Sequence, residues 1–145
     1  MRRLTVLGLV LALYSLATPA QAACQVDAKP VAFGVVDVRQ RSDSTGEIAV
    51  RCAIATPFRV AITGIGSPGN RYMTGPGNGR LAYELFTDSS FSTRWGDGSG
   101  AGQEVAAASD GESAKRLTIY GRVPQQNAVP AGGYSDSLTI ELSFF

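Results

Sequence analysis

The 145 residues carry 13 Lys and Arg against 12 Asp and Glu, a net charge of +1, and no histidine. So balanced a charge gives no electrostatic case for binding nucleic acid or anionic lipid. The lack of histidine removes the commonest general base and the commonest zinc ligand, and Cys24 and Cys52 are the two thiols.

In chain order, the first element is a leader. Arg2 and Arg3 form a basic start, Leu4 to Leu16 an apolar run, and Ala20-Gln21-Ala22 a small-x-small site. This predicts a secretory signal peptide over 1–22 and one mature domain over 23–145. A membrane anchor is the alternative, but the apolar run is short and stops at Pro19. A lipidated Cys24 is another, but Gln21 stands where a lipobox needs an aliphatic residue. In an exported chain the two cysteines most simply form one disulfide, Cys24 to Cys52. Closing a loop near thirty residues contributes about 3–4 kcal/mol in the chain-entropy treatment. A reduced pair holding a metal is the alternative, and two sulfurs without histidine make a poor zinc site. No metal and no cofactor is expected, since the Gly-rich stretches lack a phosphate-loop ending.

The mature part has no helical periodicity and many short apolar runs between Gly, Pro, Ser and Asn. Pro30 to Phe33 reads as a short first strand, at an edge because Pro30 lacks an amide donor. Ile48, Val50 and Cys52 share one face of a second strand, and Phe58, Val60 and Ile62 one face of a third. Residues 64–79 form a Gly/Pro-rich excursion with a short strand about Arg71-Tyr72-Met73. Leu81 to Phe86 is a strand, and WGDGSGAG (95–102) is a loop. Gln103 to Val105 is a short strand. Lys115 to Val123 places Leu117 and Ile119 inward and stops at Pro124. Last comes YSDSLTIELSFF (134–145), in which Leu138, Ile140, Leu142 and Phe144 alternate with Ser137, Thr139, Glu141 and Ser143. Six or seven strands suit an immunoglobulin-like β-sandwich. A sandwich short of its final strand would leave an apolar groove and an unpaired edge beside this last strand.

Four pieces then occur in order. They are Cys24 with VAFG (31–34), GEIAVRC (46–52), LAYELFTD (81–88) with WGDG (95–98), and IYGRVP (119–124) leading to GYSDS (133–137). Together they resemble the spore coat protein U domain, a family that also supplies the pilins of archaic chaperone–usher pili. The resemblance implies an all-β, incomplete immunoglobulin-like sandwich whose final strand is supplied in trans. It implies a non-enzymatic subunit of a surface fibre or coat, secreted through the periplasm to the cell surface. Its implied partners are a periplasmic chaperone, an outer-membrane usher and a neighbouring subunit that donates a strand. Leu138, Ile140, Leu142, Phe144 and Phe145 would form the captured edge, with Val31 and Phe33 as a groove wall. A donor segment needs roughly a dozen residues at about 3.3 Å each. Cleavage after Ala22 leaves Ala23 alone before Cys24, which makes a tip or terminating subunit the expectation.

Other readings compete. Glu84, Asp88, Asp97 and Asp110 are the acids from which a hydrolytic pair would be drawn, with turn capping as the simpler role. Trp95 beside Gly-Asp-Gly is a candidate sugar platform of a self-complete lectin-like module, or an indole covering the core. Tyr72 and Met73 are candidates for an adhesive loop tip, or for a strand packed on the sandwich.

Overall fold

The structure is a computed structural model that describes residues 23–145; the leader expectation lies outside them. Among the described residues eight strands occur: β1 (Cys24–Lys29), β2 (Ser42–Cys52), β3 (Ala55–Gly64), β4 (Arg71–Thr74), β5 (Arg80–Phe86), β6 (Val105–Asp110), β7 (Lys115–Val123) and β8 (Leu138–Phe144). One sheet has the order β1-β2-β7-β5-β4 and the other β6-β3-β8. The paired strands are antiparallel throughout.

The alternating apolar residues build the core. Ile48, Val50 and Cys52 of β2, Leu81, Tyr83 and Leu85 of β5, and Ile119 and Val123 of β7 are buried on one sheet. Phe58, Val60 and Ile62 of β3 meet them from the other. These are the inward faces that a period of two demands of a two-layer sheet protein. Cys24 and Cys52 form a disulfide with Cα atoms 4.0 Å apart. It lies at the first register pair of β1 with β2, so the bond pins the start of β1.

Eight strands replace the expected six or seven, and two positions are corrected. The first strand is Cys24–Lys29, not Pro30–Phe33. CQVDAK alternates, with Cys24, Val26 and Ala28 against Gln25, Asp27 and Lys29, but its apolar face is small and exposed beyond Cys24. Ladder bonds to β2 and the disulfide hold it, neither of which leaves a hydropathy signature. Residues 30–41 instead form an irregular strap over the inner face of the larger sheet. Val31 presses against Gly46 and Gly121. A Cβ added at Gly121 would lie 2.6 Å from Val31 Cγ1 and 2.9 Å from Phe33 Cζ. The strap needs a side-chain-free floor at that point. The expected strand at Gln103–Val105 is found at Val105–Asp110. VAAASD is too small and polar to alternate visibly, yet it pairs with Ala55–Val60, and its buried Ser109 hydroxyl accepts the Cys52 amide at 3.3 Å.

Candidate functional site: an apolar groove beside the last strand

β8 pairs with β3 from Gly64↔Leu138 to Phe58↔Phe144. Among the described residues its other edge has no strand partner. Leu138, Ile140 and Leu142 are half-buried and Thr139, Glu141 and Ser143 exposed, as alternation requires. Beside the start of this strand lies a groove of about 1020 Å³. Leu138 and Ile140 form one side, and the strap with Val31 and Phe33 another. Leu81, Leu85 and Ile119 of the larger sheet supply an apolar floor. The structure therefore brings Val31, Phe33, Leu138 and Ile140 to one cavity.

Leu142, Phe144 and Phe145 do not line that groove. Phe144 and Phe145 are 53% and 64% exposed. Phe145 sits against Arg59, whose guanidinium carbon is 4.5 Å from the ring centroid. Arg59 alternates with the buried Phe58 and Val60, so Phe145 lies over the outward face of β3.

Phe33 meets Tyr83 edge-on, with centroids 6.4 Å apart. The Tyr83 phenol donates to Asp136 Oδ2 at 2.5 Å. Burial, then the bond to Asp136, pushes the phenol's pKa up, so it stays a proton donor at any physiological pH. The bond draws residues 134–137 onto the larger sheet, where Ser135 and Thr74 exchange backbone hydrogen bonds of 2.9 and 3.1 Å. The chain then crosses to the smaller sheet at Leu138.

Trp95 is corrected. Its side chain is 1% exposed, and its indole N–H donates to the Val60 carbonyl at 3.0 Å. A ring enclosed this way offers no face to a sugar. Tyr72 and Met73 fall in β4 rather than at a loop tip. Met73 packs on the core and reaches the groove, and Tyr72 lies under Arg80, 4.4 Å from its guanidinium carbon. The four acids are structural. Asp88 accepts from the Thr93 amide at 2.9 Å and from Ser90 and Ser92. Asp97 caps Ser99, and Asp110 caps Glu112 and Ser113.

Glu84 belongs to a cluster that sequence reading missed. It faces Arg71 Nε at 3.4 Å and Arg94 Nε at 3.5 Å. Arg71 is 2% exposed. Its Nη2 donates to the Ile62 and Trp95 carbonyls at 3.1 and 3.0 Å. A buried arginine thus ties β4 to β3 across the sandwich. Nothing in the Gly/Pro-rich run around it signals an inward charge.

A half-open sandwich whose last strand borders an apolar groove is the arrangement the sequence resemblance implies. The Spore Coat Protein U domain matches this chain over residues 10–141. The chain belongs to that family. Among solved structures it is similar to a chain of the CsuC–CsuE chaperone–tip adhesion subunit pre-assembly complex from the archaic chaperone–usher Csu pili of Acinetobacter baumannii. The TM-score is 0.66 at 26% identity, over 86% of this chain and 40% of that one. This family member thus spans less than half of that chain's length. No curated protein matches it significantly.

Proposed function

We propose that this Spore Coat Protein U domain protein is a structural subunit of a surface fibre of the archaic chaperone–usher type, or of a related coat. The observation that carries the reading is the unpaired edge of β8 beside the apolar groove. The likeness to a chain of the Csu pre-assembly complex supports it. Its partners are a periplasmic chaperone, an outer-membrane usher and a neighbouring subunit, met on a route through the periplasm to the cell surface. The subunit performs no catalysis; the acids that would have to form a reactive pair are occupied in turns and in the Arg71 cluster.

Assembly proceeds by strand addition. An incoming strand forms backbone bonds with the free edge of β8, and alternate apolar side chains enter the groove between Leu138, Ile140 and the wall of Val31 and Phe33. Leu142 and Phe144 continue the captured edge, with Phe145 at its end. Register follows from the period of two, since a one-residue slip turns every apolar side chain to water.

The test is co-expression with a cognate periplasmic chaperone. Ile140→Asp places an unpaired charge on the groove side of β8. The desolvation cost of about 3 kcal/mol corresponds to roughly a hundredfold in affinity. Chaperone co-purification is expected to disappear and the subunit to be degraded. Undiminished co-purification and secretion of Ile140→Asp and of Leu142→Asp would overturn the reading. N-terminal sequencing of the exported protein then reads its place in the fibre. Cleavage after Ala22 gives a subunit that receives a strand and terminates the fibre. A start a dozen or more residues before Cys24 gives one that also donates.

A further inference from the structure

One carboxylate stands in the groove without a counter-charge. Asp136 lines the cavity together with Leu138 and Ile140 and is half-buried. Its Oδ2 is taken by the Tyr83 phenol. Its Oδ1 accepts no hydrogen bond, and no basic group forms an ion pair with it, among the described residues. The other charged groups on the groove are Lys29 and Asp37. Asp37 is paired with Arg39, and Lys29 makes no ion pair with Asp136. The remaining lining side chains are apolar apart from the uncharged Tyr83, Tyr134 and Ser135.

We propose that the strand received by this groove carries a basic side chain, lysine or arginine, two places beyond the apolar residue that faces Leu138, where the ladder with β8 has ended and a long side chain reaches Asp136. This rests on the strand-addition reading and names the chemistry of its partner. In the open groove, water reaches the free carboxylate oxygen. An entering strand displaces that water. Asp136 lies two residues before β8 begins, beside Ser135 on the larger sheet, so a long side chain projecting from just past the Leu138 end of the ladder replaces the lost solvent. An apolar residue there leaves an ionised oxygen unpaired in a low-dielectric cavity. An acidic one adds repulsion. A lysine or arginine supplies a charge-assisted hydrogen bond.

The carboxylate thereby marks register. Slipping by two residues keeps the apolar alternation but pushes the basic group among Leu138, Ile140 and Phe33. It also presents an apolar side chain to Asp136. Both ends are penalised, which discriminates against strands that satisfy the apolar ladder alone.

The experiment uses the purified chain and synthetic peptides of roughly a dozen residues, long enough to follow β8. Each has four alternating valines or isoleucines and one variable position two places beyond the ladder, filled by Lys, Gln, Leu or Asp, in both chain directions. Dissociation constants are measured by calorimetry. The Lys peptide is expected to bind about tenfold tighter than the Leu peptide, and the Asp peptide weakest. Asp136→Asn keeps an acceptor for Tyr83 and should bring Lys and Leu within about twofold. Asp136→Leu should reverse the order. Equal binding of the four peptides, or a Lys preference that survives Asp136→Asn, overturns this inference and leaves the groove reading intact. Failure of every peptide to bind overturns both.

Discussion

β1 and β8 are both edge strands, and they differ in what they offer a passing chain. β1 pairs with β2 over six register positions and is exposed along its length beyond Cys24. Its outward residues include Asp27 and Lys29, and only its last two residues, Ala28 and Lys29, reach the groove. Charged, short and pinned by a disulfide, it is a blunted edge. β8 pairs with β3 over seven positions, keeps Leu138, Ile140 and Leu142 half-buried, and borders the groove. Unpaired amides alone make a weak template, because water satisfies them as well as a strand does. Apolar volume beside them turns an edge into a binding site. The two strands separate these contributions within one domain.

The largest expected effect breaks that contrast by putting the same charge on each edge. Ile140→Asp should remove binding of a donor peptide or chaperone. Val26→Asp, at a side chain already 41% exposed on β1, should leave binding unchanged and stability within about 0.5 kcal/mol. Peptide binding by fluorescence anisotropy, measured for both variants at equal concentration, reads the difference. Equal losses would show that the edges are interchangeable.

A second variant strips β1 of its pin. Replacing Cys24 and Cys52 together by serine removes the cross-link across a sequence separation of 28 residues. The expected loss is about 3–4 kcal/mol in denaturant unfolding. Amide exchange should rise most in β1, with the β3–β8 ladder retaining its protection relative to the global unfolding limit. Loss of protection in β8 equal to that in β1 would mean that the disulfide holds the groove as well as the edge.

The strap between the two edges gives a smaller effect. Gly121→Ala puts a methyl within contact of Val31 and Phe33. Overpacking of this kind costs about 1–3 kcal/mol. Since the displaced side chains form the groove wall, peptide affinity should fall with stability. Gly133→Ala, where an added Cβ meets nothing within 4 Å, is the control and should leave the unfolding midpoint unmoved.

These sites also show which features the sequence made legible. Alternation placed Ile48, Val50, Phe58, Val60, Ile62 and Ile119 on the core, and it gave β8 its two faces. Burial of one face imposes that signal on the residues themselves. β1 and β6 left a weaker mark: CQVDAK alternates but its apolar side chains beyond Cys24 stay exposed, so a ladder and a disulfide hold it, and a shared ladder holds VAAASD. Arg71 was hidden for the opposite reason: its burial depends on carbonyls of Ile62 and Trp95, which are distant in sequence and carry no side-chain signature. The groove was legible as a missing neighbour for β8. Its volume was not, because the strap of residues 30–41 and the crossing at 134–137 set its shape. Both are irregular segments positioned by close contacts such as Val31 on Gly121 and Tyr83 on Asp136.

The smallest effect is on the strap's far turn and follows pH. Asp37 lines the groove mouth. It accepts from the Arg39 amide at 3.0 Å and from the guanidinium Nη2 at 2.8 Å. The side-chain bonds from Arg39, then the backbone bond, lower its pKa from 3.8 to about 2. A carboxylate depressed in the folded state is charged there while its unfolded counterpart already binds protons. Stability from this turn is therefore fully present above the unfolded value, and it drains away as pH falls from 3.8 through about 2. Asp37→Asn should flatten that part of the acid limb of the stability curve and lower neutral stability by the same amount, which is small because both groups are exposed and solvent screens the pair. Carboxyl chemical shifts of Asp37 should move near pH 2. A midpoint at the ordinary value would show the turn to be open in solution, and the strap would then be as loosely held at its groove end as β1 is firmly held at Cys24.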